Sequence, residues 1–478
     1  MQRPVHIDEA NFLRLAQGAR LNPWRPHDIA INWQGTQQAA FDVLSNPPGI
    51  AWWLAVLPES APIPMLHLWM LPWLMVALWG CHRLGNALVG EGTSAVLVLG
   101  TSPIVVLSAQ SLTPDLPLLA CTVAGIGGFL GKRSTAAWFA GLAGCAVLFR
   151  YSGVCLIPLL LLLGWQRNRL RAALPVMIPI SLLAIHDLAA YDKVHLFSMV
   201  GFQSVSDTPR DVFRKGVASL AMLGGAGMLP FLARGRPALI GASLGALVGI
   251  AAGFASGQTG GVLGATVAFA AAGGASISVI RLRDDVDRFL FCWAIGGLVF
   301  LLTLRFTASR YWLPFLPAIV LAALRMHPSP RFLFTTVLVG SLLSFGLSID
   351  ENAMARAQQT AAQAVASKGT GSFSGHWGWQ YHLEKAGWQP LEEGATPSGL
   401  HAVAQAPWPQ ETHPEACLIP IEKWSPPDTW WGPRTHSAIG AANFHAFMIS
   451  GTPPIETYSP WTFSSEPYDT VTLFEPCP

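Results

Sequence analysis

Charged residues are scarce in this chain of 478 residues. They make up 12% of it, against about 25% in an ordinary soluble domain, which excludes an ordinary soluble globular enzyme. Hydrophobic residues make up 51%, and this abundance excludes a disordered chain. The net charge of +2 is close to zero, so the chain lacks the excess of basic residues by which proteins release counterions from nucleic acids. We therefore expect no nucleic-acid partner.

Cysteines are also few, and no two of the seven have the spacing of a zinc site. Cys417 and Cys477 lie near the C-terminal end, outside the apolar runs. In an oxidising compartment they could form a disulfide, or they could remain free thiols.

No internal repeat is evident, and the small residues at every fourth position within 237–280 indicate close helix packing.

Apolar runs fill most of residues 62–349. A helix needs about 20 mostly apolar residues to cross the hydrocarbon core of a bilayer. By this measure the sequence predicts a polytopic α-helical membrane protein with about twelve spans. The twelve lie near residues 63–82, 93–110, 113–131, 134–149, 151–165, 172–190, 216–233, 237–254, 260–280, 288–304, 309–325 and 331–349.

The loop charges predict an orientation, because Lys and Arg in short loops stay cytoplasmic. One set of alternate loops carries thirteen basic residues, and the opposite set carries few. Residues 1–61 and 350–478 are then both external, in a periplasm or its equivalent. The thirteen residues are Arg83, Lys132, Arg133, Arg167, Arg169, Arg171, Arg234, Arg236, Arg281, Arg283, Arg288, Arg325 and Arg331.

Three regions follow from this topology: an external loop (1–61), a transmembrane domain (62–349) and a soluble external domain (350–478). Residues 1–12 contain neither a signal peptide nor a spanning helix. We therefore expect an upstream span, or else export of the N-terminus by the span near 63–82. The tail is predicted to be a small α/β domain, with a helix near 350–367 and a strand at Thr470 to Phe474.

Two features of the external loop carry candidate chemistry. Asp8 and Glu9 precede an apolar-periodic stretch, so they lie at the start of a helix, where the helix dipole favours acids in any case. Later, Pro47 and Pro48 open a short helix with two tryptophans, which is typical of the membrane interface.

Ionisable residues also gather at the external ends of the spans, where they are functional candidates by default. The arginines among them lie on the external side, against the rule that Lys and Arg of short loops stay cytoplasmic. They lie where a site for an anion would need cations. Mutual ion pairing is the simpler interpretation. The residues are Asp115, His186, Asp187, Arg150, Arg305 and Arg310.

Four motifs occur in order along the chain: Asp8-Glu9-Ala10, the proline pair before an aromatic helix, Thr113-Pro114-Asp115-Leu116-Pro117-Leu118 and Ser309-Arg310-Tyr311-Trp312-Leu313-Pro314-Phe315-Leu316-Pro317. Together they resemble the GT-C class of membrane glycosyltransferases, and among them the protein O-mannosyltransferases and the lipid A aminoarabinose transferases. The tail stretch Gly375-His376-Trp377-Gly378-Trp379-Gln380-Tyr381 is similar to one in the external domains of bacterial relatives.

The resemblance implies a GT-C fold and transfer of a sugar, with inversion, from a polyprenyl-phosphate carrier to an acceptor hydroxyl. It gives Asp8 the role of general base, with Glu9 beside it and Asp115 as the second acid. The acceptor would be a glycolipid, a polysaccharide or a protein, at the external face of a bacterial inner membrane. Candidates for binding the donor phosphate are Arg310, Tyr311, Arg150, Lys193, His186 and Asn46.

The chain also departs from this family. Ser45 and Asn46 stand where the aminoarabinose transferases have a Glu-Lys pair and many other relatives a histidine. The lysine contact to phosphate is therefore absent. No cofactor is required by the motifs; His6 and Asp8 could share a divalent metal ion, or could be ordinary polar loop residues.

Two other functions remain open at this point. A transporter or flippase would line a path for a lipid-linked or anionic substrate with the same acids and arginines, although transporters usually show repeated halves and interrupted spans near the midplane. A catalytically inactive assembly factor would keep the fold and lose the base.

Overall fold

The computed structural model describes all residues except 1–2, 34, 204–207, 228–235, 256–260, 426–429, 437–441, 443, 448–456 and 465. The N-terminal segment combines helices with a hairpin, whose turn contains Gly35 at φ 83°. Helix α1 begins directly after Asp8, as predicted, and α3 follows the proline pair. These elements are α1 (Glu9–Leu21), β1 (Ala30–Trp33), β2 (Thr36–Ala39), α2 (Ala40–Val43) and α3 (Gly49–Ala55).

An apolar helical region follows. Helices occur at each of the twelve predicted span positions. They are α4 (Ile63–Trp69), α5 (Leu71–Leu88), α6 (Gly92–Thr101), α7 (Pro103–Ala109), α8 (Asp115–Phe129), α9 (Ala136–Gly144), α10 (Leu156–Gln166), α11 (Leu170–Ala173), α12 (Ile178–Tyr191), α13 (His195–Gln203), α14 (Pro209–Gly227), α15 (Arg236–Ala255), α16 (Gly261–Val279), α17 (Asp285–Leu302), α18 (Leu316–Leu324) and α19 (Pro330–Ala366).

The chain is a polytopic helical membrane protein by the length and composition of its helices. Within the described residues, five helical stretches are long and apolar enough to cross a membrane, or six if the bent pair α6 and α7 is one span. These two helices meet at 71°, because Pro103 opens α7 and the residue before a proline is kept out of the helical conformation. Other helices, such as α8, are shorter, so the number twelve stays a prediction.

Helix α19 joins two regions that the sequence analysis separates at residue 349. It runs unbroken from Pro330 to Ala366, through the last predicted span and into the tail. The predicted helix near 350–367 is present, as the continuation of the last predicted span. Between residues 347 and 366 the sequence has no glycine or proline that would end a helix.

The C-terminal part contains a five-stranded sheet in the order β4-β3-β5-β9-β6, with α20 packed beside it. Strand β9 confirms the predicted strand near 470–474, and Cys417 and Cys477 form a disulfide. The elements are β3 (Ser372–Ser374), α20 (Trp377–Lys385), β4 (Gln389–Pro390), β5 (His401–Ala404), β6 (Leu418–Trp424), β7 (Pro433–Arg434), β8 (Thr462–Phe463) and β9 (Val471–Pro476).

The N-terminal segment and the C-terminal part pack against each other. Arg14 of α1 forms an ion pair with Glu384 of α20 at 3.1 Å. Gly378 in α20 faces the carbonyl oxygen of Val5, and a Cβ atom there would lie only 2.3 Å from that oxygen. This glycine therefore lets α20 approach the chain three residues before Asp8.

Candidate active site

Asp8 contacts an arginine from a distant part of the chain. Arg310 Nη2 donates a hydrogen bond of 2.6 Å to Asp8 Oδ2, across a separation of 302 residues. Arg310 lies in a short 3-10 turn (Ser309–Trp312) just before α18. The Asp8 side chain is 31% exposed and that of Arg310 14%. The carboxylate thus remains accessible while it is held by a mostly enclosed cation.

The backbone turns sharply immediately before Asp8. Ile7 has a φ of 43°, in the left-handed region that β-branched residues rarely adopt. The turn sends neighbouring side chains to different partners: His6 lies beside Glu351 at 3.0 Å, whereas Asp8 reaches Arg310. Such backbone conformations cost about 1–3 kcal/mol and cluster at functional sites.

Glu9, the other acid of the pair, is buried, and other groups of the protein bind its carboxylate. Its carboxylate binds the Arg3 guanidinium and accepts hydrogen bonds from the backbone N–H groups of His6 at 3.0 Å and Leu112 at 3.1 Å. Its side chain is 1% exposed. The structure therefore gives Glu9 the position of an anchor for the loop rather than of a group facing a substrate.

Asp115, Arg150 and Tyr311 form a second group close to the first. Arg150 Nε lies 3.1 Å from Asp115 Oδ1, and the Asp115 side chain has no exposed surface. Tyr311 lies between the two arginines: its ring centroid is 4.7 Å from Arg150 Cζ and 5.7 Å from Arg310 Cζ. Each cation is therefore within range of the negative face of the ring. Part of the predicted set of acids and arginines therefore comes together here in ion pairs, whereas Asp187 lies beside His186.

A cavity of about 490 Å³ opens beside this group. Arg150, Tyr311, Ser45 and Asn46 line it together with Tyr151 and Ser152. The rest of the wall is mainly apolar. It comprises Val154, Leu196, Phe197, Met199, Val200, Phe300, Thr303 and Leu304.

Asn46 is held at this cavity by a buried histidine. His27 Nε2 donates to the Asn46 carbonyl oxygen at 3.0 Å, and the His27 ring lies 5.0 Å from that of His195. Burial lowers the pKa of His27 to about 4 and that of His195 to about 3. Both imidazoles are therefore neutral at pH 7 and act as hydrogen-bonding groups, not as cations for a phosphate. Neither histidine was among the candidates predicted from the sequence.

His186 and Lys193 have other partners. His186 contacts Asp187 at 3.1 Å and, through Nε2, the carbonyl oxygen of Trp24 at 2.9 Å. Lys193 lies 3.7 Å from Asp42, and both side chains are more than half exposed. Neither residue lines the cavity beside Arg150, so the structure groups Arg150, Arg310, Tyr311 and Asn46 without them.

The structure also groups residues that could hold a metal ion. His6, Glu351 and His445 place one ligand atom each within 4.8 Å of one another. His6 was a candidate from sequence, but its partner there, Asp8, pairs with Arg310 instead. Glu351 and His445 were missed. The one available signal was the acid pair Asp350 and Glu351, directly after the last apolar run.

No family model and no curated protein matches this sequence. Among solved structures, the fold is similar to ArnT from Cupriavidus metallidurans bound to undecaprenyl phosphate, with a TM-score of 0.48 and 15% identity over 81% of this chain and 71% of that one. For ArnT in the apo state the TM-score is 0.45, with 17% identity over 77% and 66%. For the Archaeoglobus fulgidus oligosaccharyltransferase in complex with Zn and sulfate it is 0.46, with 12% identity over 88% and 68%. These proteins are GT-C glycosyltransferases.

Proposed function

We propose that this protein is an inverting glycosyltransferase of the GT-C type, which moves a sugar from a polyprenyl-phosphate carrier to an acceptor hydroxyl at the external face of the membrane. One observation carries the proposal: Arg150 and Tyr311 line a cavity whose other walls are mainly apolar, and Tyr311 also lies against Arg310, the partner of the accessible Asp8 carboxylate. A lipid-linked anion has the same division into a charged head and an apolar chain.

The polar end of the cavity suits the phosphate of the donor. Arg150 and Tyr311 line this end, and Asn46 offers an amide there in place of the family's lysine. The ion pair with Asp115 fixes the Arg150 guanidinium before any ligand arrives. Cations held in place in this way stabilise developing negative charge without further reorganisation.

The apolar wall suits the start of a prenyl chain. Leu196, Phe197 and Phe300 belong to this wall, which is formed by elements of the apolar helical region. Burying each CH₂ group contributes about 0.8 kcal/mol, so a few isoprene units are enough to hold the donor. The sugar is then placed at the polar end, on the side of Tyr311 and Arg310.

The chemical step follows from this placement. The Asp8 carboxylate accepts the proton of the acceptor hydroxyl as the oxygen attacks the anomeric carbon. The bond from that carbon to the phosphate oxygen breaks, and its electron pair leaves with the lipid phosphate, whose charge Arg150 and Arg310 stabilise. A single displacement inverts the anomeric centre.

The first test is transfer by the purified protein in detergent, with radiolabelled polyprenyl-phosphate sugars as donors and membrane extract as acceptor. We expect label to move from carrier to extract, and the Asp8→Asn variant to slow this movement about 10²- to 10⁴-fold, since it removes the general base. The matched control is Asp28→Asn, an exposed acid of the same segment that lies 3.6 Å from Arg25.

Full activity in Asp8→Asn would overturn the assignment of the base. If the folded wild-type protein moved no sugar from any carrier, the glycosyltransferase proposal would fail as a whole. Flux measurements on reconstituted protein would then test the transporter hypothesis.

A further inference from the structure

The group formed by His6, Glu351 and His445 lies outside the transfer chemistry described above. The three residues come from the N-terminal segment, from α19 and from the loop between β7 and β8. His6 Nε2 lies 3.0 Å from Glu351 Oε2, and His445 Nε2 lies 2.7 Å from Glu351 Oε1. Each carboxylate oxygen therefore faces a different imidazole.

His6 is almost completely buried, with 3% of its surface exposed. Neither of its ring nitrogens has a hydrogen-bond partner among the described residues, although Nε2 lies close to Glu351. Leaving such polar atoms buried without a partner costs about 1–3 kcal/mol. The geometry thus presents an imidazole nitrogen to the carboxylate without the alignment of a hydrogen bond, which leaves a role for a shared ligand.

The distances suit a metal ion. Nitrogen and oxygen ligands bind zinc at about 2.0–2.2 Å, so neighbouring ligands of a tetrahedral ion are about 3.3 Å apart. The 3.0 Å between His6 Nε2 and Glu351 Oε2 is close to this value. The 2.7 Å between His445 Nε2 and Glu351 Oε1 is that of a hydrogen bond, which a bound ion would replace. Two histidines and one carboxylate are also a ligand set that zinc adopts in three-ligand sites with one open position.

The local charge favours a cation. Arg3 is the competing group, since its Nη1 lies 3.5 Å from Glu351 Oε2. Arg3 is also paired with buried Glu9. Two carboxylates thus surround one guanidinium, and one negative charge remains for an added ion. The adjacent Asp350 is already bound by Thr435 and Tyr468.

We propose that His6, Glu351 and His445 bind one divalent cation of the zinc class, which clasps the N-terminal segment to α19 and to the C-terminal part. A small cavity of about 30 Å³ touches all three residues and also Asp8 and Arg310. This volume is enough for about one water molecule, which would take the open position. Because His6 precedes Asp8 by two residues, the ion positions the Asp8 loop.

The test is metal content, measured by mass spectrometry on tag-free protein in detergent after equilibration with zinc and removal of the excess. We expect about one zinc ion per chain, and loss of that ion in His6→Ala, Glu351→Gln and His445→Ala. His413→Ala, which changes an exposed histidine, is the matched control and keeps the ion. Asp8→Asn also keeps it, because Asp8 is not a ligand.

Two further measurements serve if a variant fails to fold. A chelator should lower the thermal midpoint of the wild-type protein and added zinc should restore it, because a ligand that binds only the native state stabilises it. X-ray absorption on the zinc-loaded wild type should show two imidazole ligands. Folded wild type without stoichiometric zinc, or zinc that persists in folded His6→Ala and His445→Ala, would overturn the proposal. None of these measurements depends on sugar transfer, so this proposal and the proposed function can fail separately.

Discussion

Asp115 has no exposed surface, and Arg150 is the cation that balances it at 3.1 Å. Removing one member of a buried ion pair leaves the other charge uncompensated, at a cost of about 3–5 kcal/mol. We therefore expect Arg150→Met to lower the thermal midpoint of the purified protein strongly. The double variant Arg150→Met with Asp115→Asn should recover most of that loss, because it removes both charges.

The control for this prediction is an exposed pair. Arg288 lies 3.0 Å from Asp285, and both side chains are more than half exposed. Such pairs contribute about 0–1 kcal/mol, so Arg288→Met should leave the midpoint almost unchanged. Equal effects of Arg150→Met and Arg288→Met would contradict the view that Asp115 depends on Arg150 for its burial.

At the scale of single residues, the sequence predicted where the charged side chains lie better than it predicted which residues they contact. The predicted group at the external ends of the spans contained Asp115, Arg150 and Arg310 together with His186, Asp187 and Arg305. The structure pairs Arg150 with Asp115, and Arg310 with Asp8 of the external loop. Partners of Glu9 were not predictable, because they depend on where the backbone of residues 110–112 lies. The same holds for His445, which reaches Glu351 only through the tertiary fold.

Among the elements, strands β5 and β9 share a buried acid at their ends. Asp469 Oδ1 accepts hydrogen bonds from the backbone N–H of Ala406 at 2.9 Å and of Thr470 at 2.8 Å. Burial raises the pKa of Asp469 to about 7. The neutral form of this carboxyl group is therefore the one that the folded sheet favours.

This pKa predicts a pH dependence of stability. The unfolded chain loses the Asp469 proton near pH 4 and the folded chain near pH 7, so the contribution of Asp469 to stability is full below pH 4, falls as the pH rises to 7 and is level above it. The total change is about 4 kcal/mol, since one pKa unit corresponds to about 1.4 kcal/mol. Hydrogen exchange of β5 and β9 at pH 4 to 8 measures it.

Asp469→Asn is the matched variant, since the amide keeps the accepting oxygen and cannot ionise. Burial lowers the pKa of His401 in β5 to about 4, which contributes a slope of the opposite sign, so the test is the difference between the wild type and this variant. That difference, in exchange rates corrected for the intrinsic effect of pH, should change between pH 4 and 7. A difference that stays constant over this range would contradict the raised pKa of Asp469.

The sequence largely predicted which segments form helices and which form strands, but not the residues at which these elements begin and end. Apolar length predicted the positions of the helices, and β-branched residues predicted β9. The hairpin of β1 and β2 carried no clear alternation of apolar and polar residues, so it was missed. The continuity of α19 was missed because its residues change from apolar to polar near residue 350, although helix formation depends on backbone propensity and not on polarity.

At the scale of the whole molecule, several arginines of the predicted cytoplasmic loops bind the carboxyl ends of helices. Arg325 Nη1 donates to the carbonyl oxygen of Leu88 at the end of α5, and Arg169 Nη1 donates to that of Phe129 at the end of α8. Cations at helix C-termini are stabilising because they oppose the helix dipole. The arginines that predict the orientation therefore also cap the C-termini of these helices.

The packing of α1 on α20 predicts that the N-terminal segment and the C-terminal part share one side of the membrane. In a chain whose five free cysteines (Cys81, Cys121, Cys145, Cys155 and Cys292) are replaced by alanine, single cysteines at exposed Glu59 and Lys385 should react with a membrane-impermeant maleimide on intact spheroplasts. A cysteine at exposed Arg133, beyond the other end of α8 from Asp115, should react only after permeabilisation.

Labelling of Glu59→Cys and Lys385→Cys on opposite sides would contradict the packing itself. If both reacted only after permeabilisation, the packing would stand and the orientation predicted from the loop charges would be wrong.

Helix α19 has a mechanical consequence. Its 37 residues extend over about 55 Å, whereas the hydrocarbon core is about 30 Å thick. Glu351 lies about 32 Å along the helix from Pro330, close to the height at which lipid gives way to water. The helix is unbroken over this length, and helices tilt when a bilayer thins. The height of Glu351 relative to the membrane surface therefore depends on the thickness of the bilayer. A change in that thickness would move Glu351 relative to the lipid surface.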